Sequence, residues 1–241
     1  MTARDIRLGG DGAHLRACIV DLDGTLVDTL GDFEAALNHM LAQLSRPPVT
    51  RRVIEQLVGK GSEHLIRSVL AHVERERGVA DFVLSQSLFD DAWHAYQLHY
   101  RQINGRHSAV YPGAAEGLAA LKAAGLRLAC LTNKPTAFAR PLLRAKGLEG
   151  FFTEVFGGDS FERKKPDPLP LLKTCEALGS APTHTLMVGD SSNDALAARA
   201  AGCPVVLVTY GYNHGEPVCN VDADGYLDSM AELAQWLAPR G

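Results

Sequence analysis

Four short polar clusters carry residue types that could do chemistry together. The first is Asp21-Leu22-Asp23-Gly24-Thr25. Two carboxylates two residues apart can divide the labour of nucleophile and general acid/base, and Gly24 permits a sharp turn without a Cβ penalty. A carboxylate that attacks a phosphate monoester meets anionic repulsion. A hard cation with oxygen ligands offsets it, and Mg2+ suits carboxylates plus a substrate phosphate. The second cluster, Leu131-Thr132-Asn133-Lys134-Pro135, offers a hydroxyl and an amide just before a helix start, where phosphate is well held. The third is Lys164-Lys165-Pro166-Asp167-Pro168. Pro166 restricts Lys165 to extended geometry and so fixes where its ammonium points; such a cation can neutralise a transferring phosphoryl group. The fourth, Val188-Gly189-Asp190-Ser191-Ser192-Asn193-Asp194, places two acids about one helical turn apart, able to face one metal. Each cluster alone has a plainer alternative: a solvated turn for Asp21 and Asp23, helix caps for Thr132, Asp190 and Asp194, a surface pair for the lysines. The four in this order are far more specific than any one.

These clusters need elements to position them. Ala17–Val20, Leu126–Leu131, Thr185–Val188 and Pro204–Val208 are short apolar runs, each followed by polar or glycine-containing turns. Helical stretches lie between the later runs and end at Gly125, Gly147, Gly179 and Gly202, which suit helix C-terminal positions. This alternation predicts an α/β fold with a parallel sheet covered on both faces. Ligands on such sheets bind beyond the carboxyl ends of the strands, where the first, second and fourth clusters follow an apolar run; the third follows a loop. Residues from 30 to about 105 read differently. Leu30, Phe33, Leu37, Met40, Leu41 and Leu44 recur at helical spacing, as do Leu65, Ile66, Val69, Leu70 and Val73, and then Leu88, Trp93, Tyr96 and Tyr100. The pattern predicts an all-helical domain inserted after the first strand, with hinges near Val27–Leu30 and Asn104–Pro112. The resulting division is a discontinuous core, 1–28 and 108–241, around an insert at 29–107.

Composition narrows the partners. The formal net charge is -4 over 241 residues. No basic footprint for nucleic acid exists, so a phosphate site must be built locally. The five cysteines are odd in number and form no C-x-x-C pair, which predicts neither a disulfide scaffold nor a zinc site and fits a reducing compartment. Met1 to Gly12 is polar and lacks the apolar stretch of a signal peptide. No apolar run reaches the roughly 20 residues that span a bilayer. The expectation is a cytoplasmic protein with no membrane or nucleic-acid partner, as a monomer or a homodimer.

Read jointly, D-x-D-G-T, the strand-end Thr132, Lys165 before Pro166 and G-D-x-x-x-D at 189–194 resemble the haloacid dehalogenase superfamily of phosphatases. The resemblance runs from Cys18 to about Pro217. It is nearest to the bacterial phosphoglycolate phosphatase branch, through Leu57-Val58-Gly59-Lys60-Gly61, Thr132-Asn133-Lys134-Pro135, Gly157-Gly158-Asp159 and Thr209-Tyr210-Gly211-Tyr212-Asn213. Gly78–Asp81 is shorter than in some relatives, and the polar N-terminal extension has no role in the family. The resemblance implies a Rossmann-like parallel-sheet core, a helical cap and Mg2+-dependent hydrolysis of a small phosphomonoester, 2-phosphoglycolate first among them. It implies Asp21 as nucleophile and Mg2+ ligand, and Asp23 as acid then base, with its carbonyl on the metal. Thr132 and Asn133 would hold phosphoryl oxygens, Lys165 would neutralise them and Asp21, Asp190 would bind Mg2+, and Asp194 would act close to the metal, directly as a ligand or through water. Gly59-Lys60-Gly61 would receive the substrate's carboxylate, unless it is a plain inter-helix turn. Other small sugar or amino-sugar phosphates, and phosphomutase chemistry, stay open as alternatives. Dehalogenation is disfavoured because that branch usually lacks the second acid, and Asp23 is present.

Overall fold

A computed structural model of the chain describes residues 15–79 and 81–237. The polar segment Met1 to Gly12 and Ala80 within Gly78–Asp81 lie outside the described residues. Strand β1 (Ala17–Val20) is fully buried. It leads to a short strand β2 (Val27–Asp28), helices α1 (Leu30–Gln43), α2 (Arg51–Leu57), α3 (Ser62–Glu76) and α4 (Gln86–Ile103), and strand β3 (Ala109–Val110). Then follow α5 (Ala114–Ala123), β4 (Arg127–Leu131), α6 (Thr136–Ala145), β5 (Glu154–Phe156), α7 (Leu169–Ala177), β6 (Thr185–Gly189), α8 (Ser192–Ala201), β7 (Val205–Val208), β8 (Gly225–Leu227) and α9 (Leu233–Leu237).

Six strands form one parallel sheet in the order β5-β4-β1-β6-β7-β8. Its central strands are apolar on both faces because helices cover both. Cys18, Val20, Cys130, Val188 and Val206 face α5, α6 and α9 through Leu118, Leu142 and Leu233. The alternate residues Ala17, Ile19, Ala129, Met187 and Val205 face α7 and α8 through Leu171 and Ala198. Gly125, Gly147, Gly179 and Gly202 all take positive φ, as expected of residues that end helices. Strand order reverses at β1, since β4 lies on one side of it and β6 on the other. Such a switch point opens a crevice at the strands' carboxyl ends.

The four helices between β2 and β3 bury Leu37, Met40, Leu41, Ile66, Leu70, Tyr96 and Tyr100 in a cluster that also takes Phe138 of α6 and Tyr212. On α4 the buried stripe runs through Phe89, Ala92, Tyr96 and Tyr100, leaving Leu88 and Trp93 half-buried. The chain enters and leaves this insert through an antiparallel ribbon, Val27 opposite Val110 and Asp28 opposite Ala109. Asp32, fully buried, binds the exit to the entrance: its carboxylate accepts from the Gly105 and His107 N–H groups, each at 2.7 Å. All five cysteines are free thiols. Among the described residues, no helix is long and apolar enough to cross a membrane.

Candidate active site

β1, β4 and β6 end side by side, so the turns that follow them converge. Asp21 leaves β1 and its carboxylate lies 3.0 Å from the Lys165 ammonium. Gly24 turns the chain at φ 86°, and a Cβ there would sit 2.1 Å from Asp190 Oδ2. No other residue fits both the conformation and the approach. Asp190, after β6, is held by the Thr25 hydroxyl (3.1 Å) and the Tyr212 N–H (2.6 Å). Asp194 sits in the first turn of α8. Its Oδ1 accepts from Lys165 at 2.6 Å, and its Oδ2 accepts from the Asp190 and Ser191 N–H groups and the Ser191 hydroxyl. Carboxylate oxygens of Asp21, Asp190 and Asp194 lie within 4.8 Å of one another.

Three buried carboxylates this close repel one another. Burial first, then Asp194, push Asp21 up to about 7, against the opposing pull of Lys165. Burial, then Asp194 and Asp21, raise Asp190 well above the carboxylate range. Burial opposes the charge on Lys165, but Asp194 and Asp21 outweigh it and raise its pKa, so the ammonium stays charged. This donor set fits a hard divalent cation. It is all oxygen, it carries surplus negative charge, and Asp21 Oδ1 accepts no hydrogen bond of good geometry. Asp194 is different, since each of its oxygens already takes a donor.

Thr132 and Asn133 follow β4, and both line the same cavity. Thr132 receives the Lys134 N–H at 3.2 Å. The Asn133 amide is engaged with the chain: it donates to the Lys165 carbonyl (2.8 Å) and the Gly59 carbonyl (3.0 Å), and accepts from the Lys165 N–H (3.1 Å). It therefore splints the Lys165 loop and touches the helical insert. Asp159, in the Gly-Gly-Asp stretch, caps α6 by accepting from the Thr136 N–H at 2.8 Å.

Asp23 faces the cavity, yet its carboxylate is paired with Lys134 at 3.0 and 3.2 Å. Lys134 also donates to the Tyr100 hydroxyl of α4 at 2.6 Å. Gly59 and Gly61, at φ 112° and 89°, line the cavity mouth. Lys60 between them is exposed and is not brought into the cavity. The Gly59 carbonyl points to the core, accepting from Asn133 and, at 3.3 Å, from Asn193.

Sequence reasoning gave no role to Lys134, Tyr100, Phe33 or Tyr212. Lys134 and Tyr212 stand inside stretches singled out by resemblance, and that was the available signal. Tyr212 ties the ribbon to the acidic cluster: its hydroxyl donates to Asp28 (2.6 Å) and accepts from the Thr29 N–H (2.9 Å). Tyr100 carried only a helical-periodicity signal, which marks a core position as readily as a site.

Comparison with known proteins gives the family. The model of the haloacid dehalogenase-like hydrolases matches residues 15–202. A phosphoglycolate phosphatase of Thiobacillus denitrificans is 44% identical over 220 residues, 91% of this chain and 94% of its own. One from Cupriavidus necator is 41% identical over 223 residues, 92% and 93% of the two chains. The crystal structure of a predicted phosphoglycolate phosphatase from Haemophilus somnus superposes with a TM-score of 0.88 at 33% identity, covering 93% of this chain and 98% of the other. The chain belongs to the haloacid dehalogenase-like hydrolases.

Proposed function

We propose that this chain is a Mg2+-dependent phosphatase that hydrolyses 2-phosphoglycolate to glycolate and phosphate through a phosphoaspartate on Asp21. The observation that carries the reading is the pairing at the end of β1. Asp21 lies beside a charged, buried Lys165, and a second carboxylate, Asp23, stands two residues on in the same cavity. The identities of 44% and 41% to proteins named for this activity support the substrate. In this reading residues 29–107 form a cap over a discontinuous core of 1–28 and 108–241.

Asp21 attacks phosphorus in line with the ester oxygen. The P–O ester bond breaks, and the leaving alkoxide takes a proton from Asp23. Asp23, now a carboxylate, takes a proton from a water molecule whose oxygen attacks the phosphoaspartate. Asp21 is regenerated and phosphate leaves. Lys165 neutralises the phosphoryl oxygens and Asp21 throughout, and the Thr132 hydroxyl and the Asn133 residue hold those oxygens. Asp21, Asp190 and the Asp23 carbonyl would hold Mg2+, with Asp194 fixing Lys165 beside it. The cation would supply the charge that lets carboxylate and phosphate approach.

Two measurements test this reading. Phosphate release with Mg2+ from 2-phosphoglycolate and from small sugar and amino-sugar phosphates should rank 2-phosphoglycolate first in kcat/KM. A sugar phosphate in first place contradicts the substrate. The metal has a pH signature. Asp21 shifts from an ordinary 3.8 to about 7 in the folded, metal-free protein. The fold therefore binds more protons than the unfolded chain between those values, and metal-free stability falls as pH rises through that window. Mg2+ binding restores what the charged cluster costs. The Mg2+-induced rise in melting temperature should grow from about pH 5.5 to about pH 8, reaching several degrees at saturating metal. A rise independent of pH contradicts the assigned ligands.

A further inference from the structure

The proposed substrate has two anionic ends, and the cavity has two buried cations. Lys165 stands beside Asp21. Lys134 stands beside Asp23, with its side chain 2% exposed. The Lys134 ammonium has three N–H groups. Asp23 lies on one side of it, at 3.0 and 3.2 Å to its two oxygens, and the Tyr100 hydroxyl on another, at 2.6 Å. The charge also lies 4.6 Å over the Phe33 ring and 4.9 Å over the Tyr100 ring. Both rings belong to the helical insert, so closure of the insert strips water from this lysine and strengthens its attraction for an anion.

Resting on the phosphatase reading above, we propose that Lys134 is the residue that recognises the carboxylate of the substrate's leaving group. Asp23 must reach the ester oxygen within hydrogen-bond distance to protonate it. In 2-phosphoglycolate a single carbon separates that oxygen from the carboxylate. A cation 3.0 Å from Asp23 is therefore within reach of the carboxylate whenever Asp23 is within reach of the ester oxygen. Lys60 does not meet this requirement, since its side chain is exposed and outside the cavity. The bond from Lys134 to Tyr100 makes recognition depend on the insert being closed, so an anionic leaving group and a seated cap reinforce each other. A substrate without the carboxylate leaves a desolvated ammonium with one partner fewer, which is how a small site rejects near-isosteres.

The test uses Lys134→Met and Lys134→Gln, the first matching the stem's bulk and the second keeping polarity without charge. The full-length variants and wild type are assayed with Mg2+ on 2-phosphoglycolate and on 2-hydroxyethyl phosphate, which is similar in size and lacks the carboxylate. Melting temperatures are recorded alongside. Wild type should prefer 2-phosphoglycolate in kcat/KM. Each folded variant should lose on the order of 10²-fold on 2-phosphoglycolate and no more than about ten-fold on 2-hydroxyethyl phosphate, so the preference collapses. Equal losses on both substrates overturn the proposal and leave Lys134 as a positioning residue for Asp23. Losses smaller than about three-fold on both also overturn it. A wild type with no preference for the carboxylate overturns the substrate reading, and the proposal falls with it.

Discussion

Asp21→Asn should abolish turnover, by about 10⁴-fold or more in kcat, while the protein still folds. The amide is nearly isosteric with the carboxylate but is a poor nucleophile toward phosphorus. The local electrostatics make the folding half of this statement specific. Asp21 shares a buried space with Asp190 and Asp194, within 4.8 Å. Replacing it with a neutral amide removes repulsion from that cluster, and Lys165 keeps Asp194 as an ion-pair partner at 2.6 Å. The metal-free variant should therefore melt at or above the wild-type temperature near neutral pH. A variant that is inactive because it is unfolded would show the opposite shift.

Asp23→Asn should separate the two chemical steps. Forming the phosphoaspartate needs a proton for the leaving oxygen, and breaking it needs a base for the attacking water. An aryl phosphate such as p-nitrophenyl phosphate has a leaving group that departs without protonation. Its first step should survive the substitution, whereas hydrolysis of the intermediate should slow by about 10² to 10⁴-fold. The expected trace is a burst of about one nitrophenolate per enzyme followed by a slow steady rate. An alkyl phosphate should show no burst, because both steps need Asp23. The Asn carbonyl still offers Lys134 an acceptor where Asp23 stood, at 3.0 Å, so the pocket has no reason to collapse. A burst-free trace with both substrates would remove Asp23 from the second step.

The sheet and the site differ in how legible they were. Ala17–Val20 and Val205–Val208 declare themselves because a strand buried on both faces must be apolar throughout. The edge strands Glu154–Phe156 and Gly225–Leu227, and the Val27–Val110 ribbon, are two or three residues long and carry too few positions to show a period. The short helix Arg51–Leu57 buries only Ile54 and was equally silent. In the site, the polar residues at strand ends could be found because topology places such positions at the crevice. The contacts made by Lys134 could not. Its partners, Asp23 and Tyr100, are 111 and 34 residues away, and nothing local distinguishes a lysine that turns inward from one that stays in water. Lys60 is the mirror case. Flanking glycines give its backbone freedom but do not aim its side chain.

The central claim is that phosphate passes through a covalent bond to Asp21. The most direct measurement quenches the Asp23→Asn variant in acid during turnover of p-nitrophenyl phosphate and maps its peptides by mass spectrometry. A near-stoichiometric phosphoryl group should appear on the peptide bearing Asp21 and be absent when Asp21→Asn is added. Continued nitrophenolate release with no covalent phosphate at Asp21 would contradict it.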